Sequence, residues 1–412
     1  MAAPHLPLEI WRIVCEKLTA DNFCAIGSEF DREMIDDWEC DYHEARKSLS
    51  VLCGVSRGIA EVAQAALFKC YYMDEKGDRG THLKFLRAVL DSPDRLATYV
   101  REIRLENFVY SETREERLGV DPNLYLFGIP NDFPGYWAEE TASMYARLAA
   151  RLGFDTADFP FNPDDLVRRE AQARGVPAVI VLSLPLLPNL EVLRIMLGFE
   201  KHGLKLLQQL RAIGVVAPFQ RVKDLTLGYR GFGGFIDGEL DWTAIGNGFL
   251  LTRFAPLLAL TPNVATLRLD WCGGFDPEEP DSDPVQTMRE CMPPGMKALE
   301  LPRSRLDDRD MGMILNCCNA GLERFRYQSG CPEKASVEVT PRQLVRHLLR
   351  FKATLKEIEL DYSLPSRGRF DADDNREEYE MRLTKEIHFA EFFALESFVH
   401  LTKADYIKSD AD

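Results

Sequence analysis

No apolar run in this 412-residue chain reaches the ~18–20 residues needed to cross a bilayer as a helix; the longest candidate, 178–187, stops at Pro188. The stretch 1–18 carries Glu9, Arg12, Glu16 and Lys17 where a secretory leader has an uninterrupted apolar core, so no signal peptide is expected. Basic residues are in deficit. Fifty Lys+Arg against 66 Asp+Glu give a net charge of −16, without the basic stripe that releases counterions from a nucleic acid or an anionic membrane. Neither is an expected partner. Cysteine is sparse too: ten are too few for a disulfide scaffold, and Cys15, Cys53, Cys70 and Cys272 sit in apolar contexts, as free buried thiols do. The expected compartment is therefore a reduced one, cytosol or nucleus. What the chain does have is 46% hydrophobic and 10% aromatic residues, a composition that folds.

One spacing recurs along the chain: apolar, two residues, apolar, one residue, apolar. It appears as Val100/Ile103/Leu105, Leu190/Leu193/Ile195, Val222/Leu225/Leu227 and Val264/Leu267/Leu269. Met296/Leu299/Leu301, Leu322/Phe325/Tyr327 and Leu355/Ile358/Leu360 follow, and a last copy, Leu395/Phe398/His400, is degenerate at its end. The final three positions of each copy alternate inward, outward, inward, which predicts a short strand buried on one face. The outward residues Arg194, Thr226, Arg268, Glu300, Arg326 and Glu359 would then lie on an open sheet face. Turn formers precede the copies, as in Leu187-Pro188-Asn189, Thr261-Pro262-Asn263, Pro293-Pro294-Gly295 and Asn319-Ala320-Gly321. Helices are predicted between the strands at 202–213, 247–260, 307–316 and 340–351. The last has Thr340 as its cap, Pro341 in its first turn, and Leu344, Leu348, Leu349 and Phe351 on one face.

A strand followed by a helix, repeated so that parallel strands stack side by side, resembles the leucine-rich-repeat family in its irregular, long-repeat form. The resemblance covers 190–400 and reaches back to 100. From 193 onward the intervals run from 26 to 42 residues, longer on average than the ~20–29 of regular repeats. The asparagine-or-cysteine ladder position is filled irregularly, Cys272 being one candidate. The implied class is α/β, a solenoid of parallel strands with helices on its convex side. The stretch 106–188 is too long for one connection; helices are predicted at 137–152 and 164–173, as an elaborated insertion.

The N-terminal segment reads differently. Leu6-Pro7-Leu8-Glu9-Ile10 opens a helix whose Ile10, Ile13, Val14 and Leu18 share a face. A second amphipathic segment carries Leu49, Leu52, Val55, Ile59 and Val62 ahead of Leu67-Phe68. So small a unit cannot bury both apolar faces, so some of that surface meets either the repeats or a partner. The Leu-Pro opening, followed later by Leu49-x-x-Leu52-Cys53-x-Val55-Ser56-Arg57, resembles the F-box as it occurs in fungal proteins. That resemblance implies docking on the Skp-type adaptor of a cullin–RING ubiquitin ligase through Leu6, Pro7, Ile10, Leu18, Leu49, Leu52, Val55 and Ser56. The intervening 19–47 is rich in Asp and Glu and is expected to be a solvated excursion. The expected organisation is an F-box-like module over 1–75 with that insertion, an elaborated segment over 76–189, and repeats over 190–412. The implied role is a non-catalytic substrate receptor needing no cofactor. A repeat scaffold with no ligase role is the alternative.

Other motifs compete for attention. Gly54-Val55-Ser56-Arg57-Gly58 satisfies G-x-S-x-G, and 50–53 could be the strand before a nucleophile elbow, making a serine hydrolase the rival class. An elbow needs earlier strands of the same sheet, and the residues before Ser56 read as helix and polar excursion. Cys40 and His43, with Cys24 upstream, lack the second close pair of a zinc site. Gly228–Gly234 lacks the Lys-Ser/Thr of a phosphate loop. The loops after two strands are more suggestive. One carries Tyr229, Arg230, Phe232, Phe235 and Trp242, the next Trp271, Phe275 and the acidic run 276–283. Aromatics beside carboxylates suit a basic, partly apolar target peptide; the plainer alternative is that Trp242 and Trp271 pack the solenoid.

Overall fold

The computed structural model describes residues 6–19, 32–73, 79–105, 135–153, 182–197, 214, 219–229, 234–236, 239–241, 251–274, 284–304, 306–318, 321–329, 339–362 and 397–401. The chain divides into two compact units, Met1–Arg194 and Ile195–Asp412.

The first unit opens with helix α1 (Leu8–Lys17), entered through Pro7, with Glu9 in its first turn and Lys17 in its last, each charge complementing the helix dipole. Helix α2 (Arg32–Leu52) and helix α3 (Arg57–Lys69) follow. Both pack so as to enclose a core of Cys15, Leu49 and Ala63, with Leu18, Leu52, Cys53, Val62, Ala66 and Leu67 around it.

Two expectations for this region are corrected. Residues 32–47, read as part of a solvated excursion, are the first four turns of α2. Amid the acids, Tyr42, Ala45 and Leu49 fall at i, i+3 and i+7 and are buried, an apolar stripe sufficient to hold the helix down. Tyr42 secures it further: its hydroxyl accepts from Tyr72 N at 3.1 Å and from Arg46 Nη1 at 2.7 Å. Second, the segment 49–62 is not one helix. Helix α2 ends at Leu52, Gly54 N and Val55 N close a turn on Val51 O and Leu52 O, and Ser56 starts α3 as its cap. A helix-weakening glycine beside a good capping serine favours this break.

Strand β1 (Cys70–Met73), unforeseen in the sequence, pairs in parallel with β2 (Glu102–Leu105), Tyr71 opposite Ile103. Helix α4 (Arg79–Asp91), also unforeseen, lays Phe85 against Tyr71, their rings stacked at 4.1 Å. Helix α5 (Gly135–Arg151) matches the predicted 137–152 and packs on α4, Arg147 pairing with Asp91. The expected 164–173 helix lies outside the described residues. Strand β3 (Val192–Leu197) spans the division between the units.

In the second unit, strands β4 (Asp224–Tyr229), β7 (Thr266–Asp270), β8 (Ala298–Ser304), β9 (Arg324–Ser329), β10 (Glu357–Asp361) and β11 (Ser397–Leu401) run parallel in that order. A small antiparallel hairpin, β5 (Gly234–Ile236) with β6 (Glu239–Asp241), lies between β4 and β7 in the chain. The register aligns the repeats at their centres: Leu225, Leu267, Leu299, Phe325, Ile358 and Phe398 stand opposite one another in sequence. The joint before each strand repeats as well. Lys223 O accepts from Ala265 N and Thr266 N, and Ala265 O from Lys297 N and Ala298 N. Lys297 O then accepts from Glu323 N and Arg324 N, and Glu323 O from Lys356 N and Glu357 N. The first unit has the same joint, with Arg101 O accepting from Glu191 N and Val192 N. One carbonyl thus serves two donors of the next copy, so the apolar spacing recurs as a repeated backbone geometry.

Helices α6 (Ala255–Leu260), α7 (Pro284–Cys291), α8 (Asp308–Cys317) and α9 (Pro341–Leu348) connect these strands, each packing on the next. The architecture is α/β, a parallel sheet with helices. Helix α8 coincides with the predicted 307–316, α7 was unforeseen, and the predicted 202–213 lies outside the described residues. The predicted helix at 247–260 is realised as a 3₁₀ turn over Leu251–Phe254 and the short α6, with 247–250 outside the described residues. Helix α9 has a full capping box: Thr340 Oγ1 accepts from Gln343 N, and Gln343 Oε1 accepts from Thr340 N at 2.9 Å. Thr340→Ala is expected to cost about 1 kcal/mol of stability, read as a shifted midpoint in urea at unchanged slope.

Side-chain ion pairs bridge neighbouring joints. Glu323 takes Lys297 on one side and Lys356 on the other, each at 2.9 Å. These two ammonium groups hold its carboxyl at about 2, below the ordinary 4.5. A depressed carboxyl contributes stability above its unfolded pKa and loses it as pH falls through the folded one. The melting-temperature difference between the wild type and Glu323→Gln is therefore expected to be constant above about pH 5.5 and to vanish toward pH 2.

Candidate functional site

Helix α1 has apolar residues on two faces, and only one is covered. Cys15 is buried and Leu18 lies against the three-helix core. Ile10, Ile13 and Val14, the residues that make the sequence's apolar stripe, point instead to solvent, at 41%, 54% and 38% exposure. Leu6 and Leu8 before them are exposed as well, and so are Val51 at 67% and Val55 at 58%, on either side of the α2–α3 turn. A Cβ on Gly58, in the first turn of α3, would stand 3.9 Å from Leu8 Cδ1, so this turn lies beside the start of α1. Seven large aliphatic side chains left in water by one small module form an uncompensated apolar surface, and burying each is worth roughly 1.5–3 kcal/mol.

The expected adaptor residues divide accordingly. Leu6, Pro7, Ile10, Val55 and Ser56 are exposed. Leu18 and Leu52 are half-buried against the core, and Leu49, 1% exposed, is part of that core, where it holds α2 to α1 and α3. Leu8, Ile13, Val14 and Val51 complete the exposed surface; Ile13 and Val14 were visible as part of the helical stripe, whereas Val51 was hidden by the break at Gly54.

Ser56 serves as a helix cap. Its Oγ accepts from Ile59 N at 3.4 Å, and the residues before it, 50–52, are the end of α2. A nucleophile elbow joins a strand to a helix; here a helix joins a helix, so the geometry that would present Ser56 as a nucleophile is not formed. Cys24 and the Cys40 side chain lie outside the described residues, and among the described residues no group of three or more His, Cys, Asp or Glu could hold a metal ion.

On the repeat side, Arg230, Phe232, Trp242 and Phe275 lie outside the described residues. Tyr229 ends β4, and Phe235 stands in the β5–β6 hairpin, opposite Leu240. Trp271 is half-buried in the left-handed backbone region, at φ 62°, immediately after β7. The guanidinium of Arg303 lies 5.6 Å from the centre of its ring. Arg303, itself at φ 49° on an irregular stretch of β8, donates from Nε to Asp270 Oδ1 at 2.9 Å and also pairs with Oδ2. The cation expected from a basic target is thus supplied at Trp271 and Asp270 by the chain itself. Cys272, the ladder candidate, is fully buried, and desolvation pushes its thiol up to about 12.

The outward strand positions form rows. Arg268 pairs with Glu300 at 3.4 Å and Arg326 with Glu359 at 2.9 Å, cross-strand neighbours in the parallel register. In the first unit, Arg104 Nε donates to Glu102 Oε1 at 2.5 Å, and Arg194 Nε approaches the same carboxylate at 3.7 Å.

The chain matches no family model and no curated protein. The functional reading therefore stands on these surfaces and on the repeat construction.

Proposed function

We propose that this chain is the substrate-binding subunit of a Skp–cullin–F-box type ubiquitin ligase, its N-terminal helices docking the Skp-type adaptor and an irregular leucine-rich-repeat solenoid holding the target protein. The observation that carries this reading is the uncovered apolar face of α1 together with Val51 and Val55 at the neighbouring turn. It coincides with the residues that resemble the F-box: the Leu-Pro opening, Ile10, and the Val55-Ser56 turn. The recurring strand-and-joint geometry supports the repeat reading, because each copy rests on its neighbour through the same hydrogen bonds.

In this role the chain does no covalent chemistry. It contributes by position, raising the local concentration of target lysines near a charged conjugating enzyme. Such a subunit works in the cytosol or nucleus. The test is direct: the full chain, mixed with a purified Skp-type adaptor, is expected to co-elute as a one-to-one complex in size-exclusion chromatography. Separate elution at micromolar concentrations overturns the ligase role and leaves a repeat scaffold.

A further inference from the structure

The charges on the outward strand positions of the second unit pair one to one, Arg268 with Glu300 and Arg326 with Glu359. The first unit departs from that pattern. There Arg104 and Arg194 share the single carboxylate of Glu102, leaving one positive charge in excess. Another two-to-one set, Lys297 and Lys356 around Glu323, is open to water, which solvates its surplus. The strand cluster has no such relief. Glu102 and Arg104 are buried, and Arg194 Nε, also buried, has no hydrogen-bond partner among the described residues. At 3.7 Å its approach to Glu102 is too long to be a hydrogen bond. Desolvated guanidinium without a full complement of acceptors is costly, and an anion is the group that removes the cost.

We propose that Arg104 and Arg194, on the outward face of β2 and β3, form an oxyanion subsite that takes the carboxylate or phosphate of a bound peptide. Arg194 keeps 34% of its side chain in solvent, so it is the open side of the cluster, where the ligand enters. Glu102 fixes the orientation of Arg104 and leaves the set at one net positive charge, suited to one anionic group. A guanidinium offers two parallel N–H donors to two oxygens, so the ligand's planar or tetrahedral oxyanion is read by geometry as well as charge. The site lies on the strands and does not depend on the adaptor reading.

Acetate and inorganic phosphate, titrated into the full chain at constant ionic strength against chloride, test the proposal by calorimetry and by melting temperature. Saturable binding of at least one anion is expected, and which of the two binds more tightly distinguishes an acidic side chain from a phosphorylated one. Arg194→Met should weaken that binding at least tenfold, Arg194→Lys should weaken it less, and Glu102→Gln should tighten it by removing the competing carboxylate. No saturable binding to the wild type overturns the proposal. So does unchanged affinity in Arg194→Met or, should that variant not fold, in Arg194→Lys.

Discussion

Replacing Ile10 and Val55 together by aspartate is expected to abolish capture of a Skp-type adaptor while leaving the melting temperature where it was. Both side chains are exposed, at 41% and 58%, so in the free chain a carboxylate at either position stays hydrated and costs little. In a complex each would be desolvated without a partner. An anchor residue at such an interface is worth about 2 kcal/mol or more, so the pair should cost on the order of a thousandfold in affinity. The control is Leu52→Asp. Leu52 packs against Cys15, Leu49 and Ala63, so that variant should lose adaptor binding through unfolding of the helical module, visible as a lower melting temperature. Wild-type adaptor affinity in the Ile10/Val55 double variant would sink the docking surface.

The second large effect belongs to the repeat sheet. Phe325 is fully buried on β9 and stands between Leu299 on β8 and Ile358 on β10. Phe325→Ala should destabilise the second unit by about 3–5 kcal/mol, since the strands on both sides prevent collapse around the cavity. A fall in melting temperature of order 10 °C is expected. Arg326, the next residue, projects to the opposite face and pairs with Glu359 across the strands. Arg326→Ala should cost no more than about 1 kcal/mol, as half-exposed ion pairs do. Equal effects at 325 and 326 would contradict the one-sided burial that the fold depends on.

Much of the repeat sheet was legible beforehand because its signal is local and periodic. Every copy of the apolar spacing became a strand, since a period of two with one buried face admits few other solutions. Thr340 and Asp307 likewise cap the helices they precede, a relation that spans three residues. Where a signal depended on distant partners, the sequence misled. Helix α2 looked like a polar excursion because nine acids outweigh one stripe of Tyr42, Ala45 and Leu49, and the importance of Tyr42 comes from Tyr72, thirty residues away. Strand β1 carries only four residues and exists because β2 offers a parallel edge to pair with.

The candidate site divides in the same way. Sequence alone determined that α1 has an apolar stripe of Ile10, Ile13 and Val14, and that a Leu-Pro opening leads into it, because helical spacing follows from residue order. It could not determine which face of α1 would be covered. The tertiary structure decided that, turning Cys15 and Leu18 to the core and leaving the stripe in water. It also decided that Leu49 is core and Val55 surface, because a single turn at Gly54 rotates two neighbouring helical segments apart. The outward strand charges follow the same division. Their positions are written in the repeat, but whether an arginine meets a glutamate, a tryptophan or a shared carboxylate depends on the register of strands brought together from distant parts of the chain.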